Sequence, residues 1–424
     1  MKEWNITIKN CFKCFITWLI IVLFILTSFT VSGDSWTQFG HDDLNSGLSS
    51  SKVPQNLDTL WSNSIDGEPL SIIADDSTVY VGSREYISDI GPSPNLDPIY
   101  GGVPAVYAFD LEDGTKKWMT EFEDDVRGLA ISEEKLIVSS YGHLVALKRN
   151  TGELIWDTNI GTDMFPPAIN GTKVYVTSSN RFVYAVNIEN GKINWSFNAY
   201  SNFLSSLVVY DGKVIFGSRD SKVYALDENN GSIVWEFRTG DQIISTPAIN
   251  EGIVYIGSHD GNLYALDAKT GNLTSNFTTE GKVYTPAIGY EKVYFMCKID
   301  GFDYKIMAID IETFTKVWEF PFEGYMNYQP TLADGKVIIV AKKNLYILDS
   351  EKGEEIINKE FDIEISTQPI IVNEKIIIGI SEVSRNEIYV LGEKPLLTVF
   401  QILLIVIILA TVILIVIWYL LKRR

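Results

Sequence analysis

The side chains able to do chemistry are few and widely spaced. Only three histidines occur, His41, His143 and His259, with no metal-ligand spacing among them. His259, in Gly257-Ser-His-Asp-Gly261, sits at the same turn position as Arg84 and Arg219, which reads as a turn residue. Cys11 and Cys14 have C-x-x-C spacing, but two ligands with no nearby His or Cys make a poor site. Cys297 is alone in the rest of the chain, so no disulfide framework forms there. Acidic residues concentrate in turns such as Asp227-Glu-Asn-Asn-Gly231, which lack the ordered ligands of a calcium loop. No Gly-rich phosphate loop and no nucleophile elbow occur. Paired carboxylates converging from distant loops stay open as a hydrolytic arrangement. No catalytic residue, cofactor ligand or metal ligand is assigned, and no cofactor is expected.

The carboxylates recur because the chain repeats. Asp110-x-x-x-Gly114-x-x-x-Trp118, Asn187-x-x-x-Gly191-x-x-x-Trp195 and Asp227-x-x-x-Gly231-x-x-x-Trp235 are three copies, and Asn150-Thr-Gly152 leads to Trp156 in a fourth. Later copies begin at Asp267, Asp310 and Asp349. The Trp-type positions are 61, 118, 156, 195, 235, 275, 318 and 357, so successive spacings are 57, 38, 39, 40, 40, 43 and 39. Trp61, Trp118, Trp156, Trp195, Trp235 and Trp318 occupy them, with Ser275 and Ile357 in the other two. Six of the ten tryptophans at one repeat position imply a structural role.

Each unit reads as four short strands, for example 245–249, 253–257, 262–267 and the Trp strand. Four strands per forty residues is propeller-blade spacing. The last unit stops after Glu387-Ile-Tyr-Val-Leu391 without a Trp strand, while Leu57-Asp-Thr-Leu-Trp61 is a Trp strand without a unit. Pairing the two closes the ring and removes exposed sheet edges. The expectation is an all-β, eight-bladed propeller over residues 34–394, with four-stranded antiparallel blades.

The ends differ in kind. Residues 12–31 form an apolar run with Lys2, Lys9 and Lys13 at or before its start and no charge from Cys14 to Val31, ending at Val31-Ser-Gly33, the layout of a cleaved signal peptide. An uncleaved signal anchor within residues 1–33 is the rival reading. Residues 396–421 carry no charge, are long enough to cross a bilayer, and are followed by Lys422, Arg423 and Arg424. A transmembrane helix over 395–421 and a basic cytoplasmic tail over 422–424 are expected. The propeller would then lie outside the cell membrane, in a single- or double-pass arrangement. A formal net charge of −19 disfavours nucleic acid as a partner. Sequons at Asn170, Asn194, Asn230, Asn272 and Asn276 fall in the exterior part.

The Ala-x-Asp-x-x-x-Gly-x-x-x-Trp run, whole from Ala108 to Trp118 and from Ala225 to Trp235, resembles the pyrroloquinoline quinone (PQQ)-like propeller repeats. The segment Trp36-Thr-Gln-Phe-Gly-His-Asp-Asp-Leu-Asn-Ser-Gly47 is similar to the start of such proteins. The resemblance implies one of two functions. One branch contains quinone- and calcium-dependent dehydrogenases, which typically carry a disulfide of adjacent cysteines. The other is the non-catalytic, BamB-like branch, which binds proteins at the cell envelope. This chain has no adjacent cysteines, so the resemblance favours the second branch. BamB-like proteins usually carry a lipid on a cysteine after the signal. None stands near Gly33, so the assembly role is not carried over.

One irregularity suggests a site. Residues 84–104 insert some twenty residues where other units have short turns. Long loops on rigid scaffolds are where function concentrates. Tyr86 and Tyr100 in this loop, with Phe165, Tyr200, Phe203, Tyr325 and Tyr328 on the connections between units, form the candidate face for a protein or glycan. The other reading is that these rings plug the central channel.

Overall fold

The computed structural model describes residues 35–42, 44–87, 100–202, 205–299, 301, 303–324, 328–382 and 385–394. Both expected membrane segments, 12–31 and 396–421, lie outside the described residues.

Eight antiparallel sheets follow one another around an axis. The first blade is Glu68–Ala74, Thr78–Arg84, Ala105–Asp110 and Lys116–Glu121, from the inner strand to the outer. The same order recurs in blades two to seven, which end in outer strands Leu154–Asn159, Ile193–Asn198, Ile233–Arg238, Leu273–Thr278, Lys316–Glu323 and Glu355–Glu360. Inner strands are split in the sixth and eighth blades. Second strands such as Lys213–Ser218 are buried along their whole length, because blades pack on both of their faces. Outer strands alternate instead, as in Ile233–Arg238, since only one face meets a neighbour.

The eighth blade closes as the repeat arithmetic requires. Its outer strand is Asp58–Ser64, paired antiparallel with Arg385–Gly392 in the register Asp58↔Gly392, Ser62↔Tyr389 and Ser64↔Glu387. The core is correspondingly divided into wedges between successive blades. One wedge joins Val208, Ile215 and Trp235 to Ile249, Val254 and Leu266, and the next joins Ala248, Tyr255 and Leu263 to Val293 and Phe295.

The repeat glycine and tryptophan make one contact, and it crosses the blade boundary. Each indole N–H donates to a turn carbonyl of the following blade: Trp61 to Leu111, Trp118 to Arg149, Trp156 to Ile188, Trp195 to Glu228, Trp235 to Ala268 and Trp318 to Ser350, at 2.9–3.1 Å. The ring lies against the turn glycine. A Cβ on Gly231 would stand 2.6 Å from the Trp195 ring, and φ there is +73°. Glycine is thus needed twice, for the left-handed backbone and for the space.

The two positions without Trp obey the same rule. Ser275 faces the turn of the sixth blade, where Phe314 replaces glycine at φ 55°. In the first, third and sixth blades a second-strand tyrosine tilts against its own blade's tryptophan, as Tyr294 does on Trp318 at 5.8 Å. In the fifth blade the equivalent Tyr255 stacks instead on Phe314 of the next blade, at 6.3 Å and 21°. Phe314 supplies from one side the ring that Ser275 omits from the other. Ile357 faces the eighth blade, whose third strand leaves no turn because its outer strand comes from the N-terminal part.

The turn carboxylates accept backbone N–H groups. Asp110 is held below the usual carboxylate range by the Glu112 amide, Asp267 by the Thr270 hydroxyl and amide, and Asp310 by the Thr313 amide and hydroxyl. A carboxyl lowered on folding stabilises the fold above its unfolded value near pH 4, and that contribution is lost as pH falls through the lower folded value. The melting temperature should therefore be level from neutrality to about pH 5 and fall below about pH 4. A thermal-melt series checks this, and a level profile down to pH 2 would contradict it.

Candidate functional site

A strap not foreseen as such in the repeat runs around one mouth of the ring. The described residues of 36–49 pass the blades in turn and bond the same inner-strand position in the first, second, third, fifth, sixth and seventh. Main-chain amides of Ala74, Ile131, Ile249, Ile288 and Leu332 donate to the carbonyls of Trp36, Thr37, Leu44, Ser46 and Gly47, at 2.7–2.9 Å. The Ile169 amide donates to the Gln38 side chain at 3.4 Å. Leu44 packs on the wedge that contains Val208 of the fourth blade, and Ser49 Oγ donates to Ile371 O of the eighth. Innermost strands have no neighbour toward the axis, so the strap supplies acceptors to amides that would otherwise stay buried and unpaired. Leu48–Ser49 then pairs parallel with Thr331–Ala333.

Above the strap lies an axial cavity of about 220 Å³. Trp36 and Phe39 line its strap side, and Ile72, Arg127, Phe165, Ser205, Ile244, Thr285, Tyr328 and Gln368 bring in all eight blades. Hydroxyls link neighbouring blades around it: Thr246 Oγ1 accepts the Ser206 amide and Thr285 Oγ1 accepts the Thr246 amide, both at 3.1 Å. Arg127 is paired with Asp163 at 3.2 Å and Asp125 at 3.4 Å. Ser205 Oγ and Gln368 Nε2 are buried without a hydrogen-bond partner. The cavity can therefore hold a small polar guest. Among the described residues that line it, no nucleophile stands beside a general base.

The candidate rings separate. Phe165 and Tyr328 line the cavity, with the Tyr328 hydroxyl donating to Ser366 O, so these two belong to the channel and not to an outer surface. Tyr200 is the exposed one, at 79%, on the connection between the third and fourth blades. Tyr86 and Tyr100 lie in a two-stranded hairpin, Tyr86–Ile87 with Tyr100–Gly101, at the base of the first-blade insertion. Phe203, Tyr325 and most of that insertion, 88–99, lie outside the described residues. The histidines stay apart: His143 pairs with Asp157 at 2.7 Å, His41 lies edge-on to Trp36, and His259 contacts Gln242. Burial, with Lys282 nearby, holds His259 below its usual value.

A larger groove of about 810 Å³ escaped the sequence reading. It lies between the sixth and seventh blades, where Tyr304, Phe320, Phe322 and Tyr346 make an aromatic floor under Lys305, Lys342, Glu323 and Glu360. Its signal was the 43-residue spacing from 275 to 318. Extra residues in that interval lengthen Asp303–Asp310 at its start, and its partner Lys316–Glu323 runs two residues past the usual end, which together raise one wall.

The family model described as outer membrane protein assembly factor BamB matches residues 102–205 and 199–391. The chain belongs to this BamB family of PQQ-like propellers. No curated protein matches it. BamB from Moraxella catarrhalis is 20% identical, with a TM-score of 0.63 over 80% of this chain and 98% of that one. Quinohemoprotein alcohol dehydrogenase from Comamonas testosteroni is 12% identical, with a TM-score of 0.69 over 86% and 81%. A computationally designed protein, Ika8, is 14% identical, with a TM-score of 0.65 over 80% and 100%. Likeness at these identities is a likeness of fold, which both binding and catalytic proteins share.

The quinone and calcium of the dehydrogenase branch do not fit the axial residues. Calcium takes about six to eight oxygen ligands, usually including carboxylates. No group of three His, Cys, Asp or Glu among the described residues could hold a metal ion. Arg127, the only basic group lining the axial cavity among the described residues, already has two carboxylates on it.

Proposed function

We propose that this chain is a membrane-anchored BamB-family propeller, outside the cell, which binds a protein or glycan through the face that carries its inter-blade connections. The observation that carries the reading is the first-blade insertion. Residues 85–104 separate second and third strands that other blades join through two to four residues, such as 141–142 or 258–261. Exposed Tyr200, on the connection between the third and fourth blades, shares that face, and an exposed aromatic and a long loop on one face are the composition of a recognition surface. The uncharged run 396–421 with its basic tail supports a membrane anchor with a cytoplasmic C-terminus. No helix among the described residues is long and apolar enough to cross a membrane.

Deleting residues 88–100 should leave the melting temperature unchanged and abolish capture of the partner from native membranes by the full chain in detergent. Undiminished capture would remove the insertion from the site. The dehydrogenase reading is the alternative, favoured by the fold likeness alone. Titration with quinone and calcium should leave tryptophan fluorescence unchanged; a saturable change would favour the dehydrogenase.

A further inference from the structure

Both described chain ends leave the ring from one face. The strand Arg385–Gly392 runs toward the side where inner strands turn into second strands: it pairs as Ile376↔Leu391, and Gly392 lies beside Glu374 in the last of those turns. Glu393 is tied there by the Gln55 amide at 2.9 Å. Only residues 393–395 separate Gly392 from the uncharged run 396–421, and three residues span at most about 10 Å. Trp36 bonds Ala74 at the same level, just before the first of the turns, and four residues separate it from the apolar run that ends at Val31. If the leader is removed, the C-terminal tether alone sets the same limit.

That face has a further property. In the first seven blades the outer strand begins on it, directly after the repeat turn, and the first or second residue of the strand is an exposed aliphatic in six successive blades: Leu154, Ile193, Ile233, Leu273, Val317 and Ile356. Side chains of this kind gain by entering a lipid headgroup region. Acidic turn residues among them, such as Glu228 and Glu351, disfavour a strongly anionic surface.

From the exit points and this rim we infer that the face of repeat turns lies against the bilayer, which points the opposite face, with the first-blade insertion and Tyr200, away from the membrane. The inference rests on the anchored reading above and adds the orientation. The partner of the turn face is a zwitterionic lipid surface.

The test uses the full chain with Cys11→Ser and Cys14→Ser, reconstituted in phosphatidylcholine vesicles. Cys297 is buried and its thiol is pushed up by burial, which confines labelling to added cysteines. A fluorophore is placed at Leu273→Cys or Ile233→Cys on the rim, and at Tyr141→Cys on a turn of the opposite face. Quenching by headgroup-attached nitroxide should be several-fold stronger at both rim positions than at Tyr141→Cys. Equal quenching, or the reverse order, overturns the orientation while the anchor stands. Loss of the protein from vesicles in an alkaline carbonate wash overturns the anchor and the orientation together.

Discussion

Replacing Asp58–Ser64 by a Gly-Ser linker of equal length should abolish the cooperatively folding monomer. The eighth blade would keep three strands, and Arg385–Gly392 would become an open edge, free to pair with another chain. Trp61 would be lost from the turn of the first blade, where its N–H meets Leu111 and its ring lies under Gly114. Trp61 is partly buried, and a Trp ring taken fully out of water removes about 150–250 Å², worth about 4–6 kcal/mol, which sets the upper figure for its loss. Net stabilities of domains are about 5–15 kcal/mol, so the loss is comparable with the whole. Size-exclusion chromatography should show oligomers, and the thermal transition should broaden or vanish. A monomer that melts as the parent does would show that closure does not hold the ring.

Ser275→Trp and Phe314→Gly should each destabilise, and together they should cost clearly less than the sum of the two single losses. Ser275→Trp alone drives an indole into space that Phe314 fills beside Tyr255, and overpacking of this kind costs about 1–3 kcal/mol. Phe314→Gly alone empties that space, with a cost of about 3–5 kcal/mol, slightly offset by relief of the left-handed backbone at φ 55°. The double variant recreates the Trp-on-glycine contact present at six other boundaries. Denaturant titration of the four proteins should give an interaction energy of about 1–3 kcal/mol favouring the double variant. Additive losses would mean that Phe314 is not the substitute for the missing ring.

Most of the ring was legible because each blade must solve the same packing problem with the same residues. The period of Trp61 to Trp318, the unpaired Trp strand at residue 61 and the unfinished unit at Leu391 define the blade number and the closure. Ser275 and Phe314 were visible only as separate departures, because the compensation crosses a blade boundary that linear order hides. The strap was opaque for a related reason. Residues 36–49 have no period of their own, and their partners, from Ala74 to Ile371, are spread over some three hundred positions. The candidate face divided because an aromatic on an inter-blade connection can turn inward or outward. Phe165 and Tyr328 meet the axis, while Tyr200, with φ at 62°, turns out to solvent.

The central claim is that the chain's first long strand locks onto its last. Ser62 and Tyr389 are directly opposed in that pairing. Full-length protein carrying Ser62→Cys and Tyr389→Cys, in the Cys11→Ser and Cys14→Ser background, should on mild oxidation form one disulfide within a monomer, joining these two positions in the peptide map. Disulfides formed only between molecules, or free thiols at both positions in the folded protein, would contradict the closed eight-bladed ring.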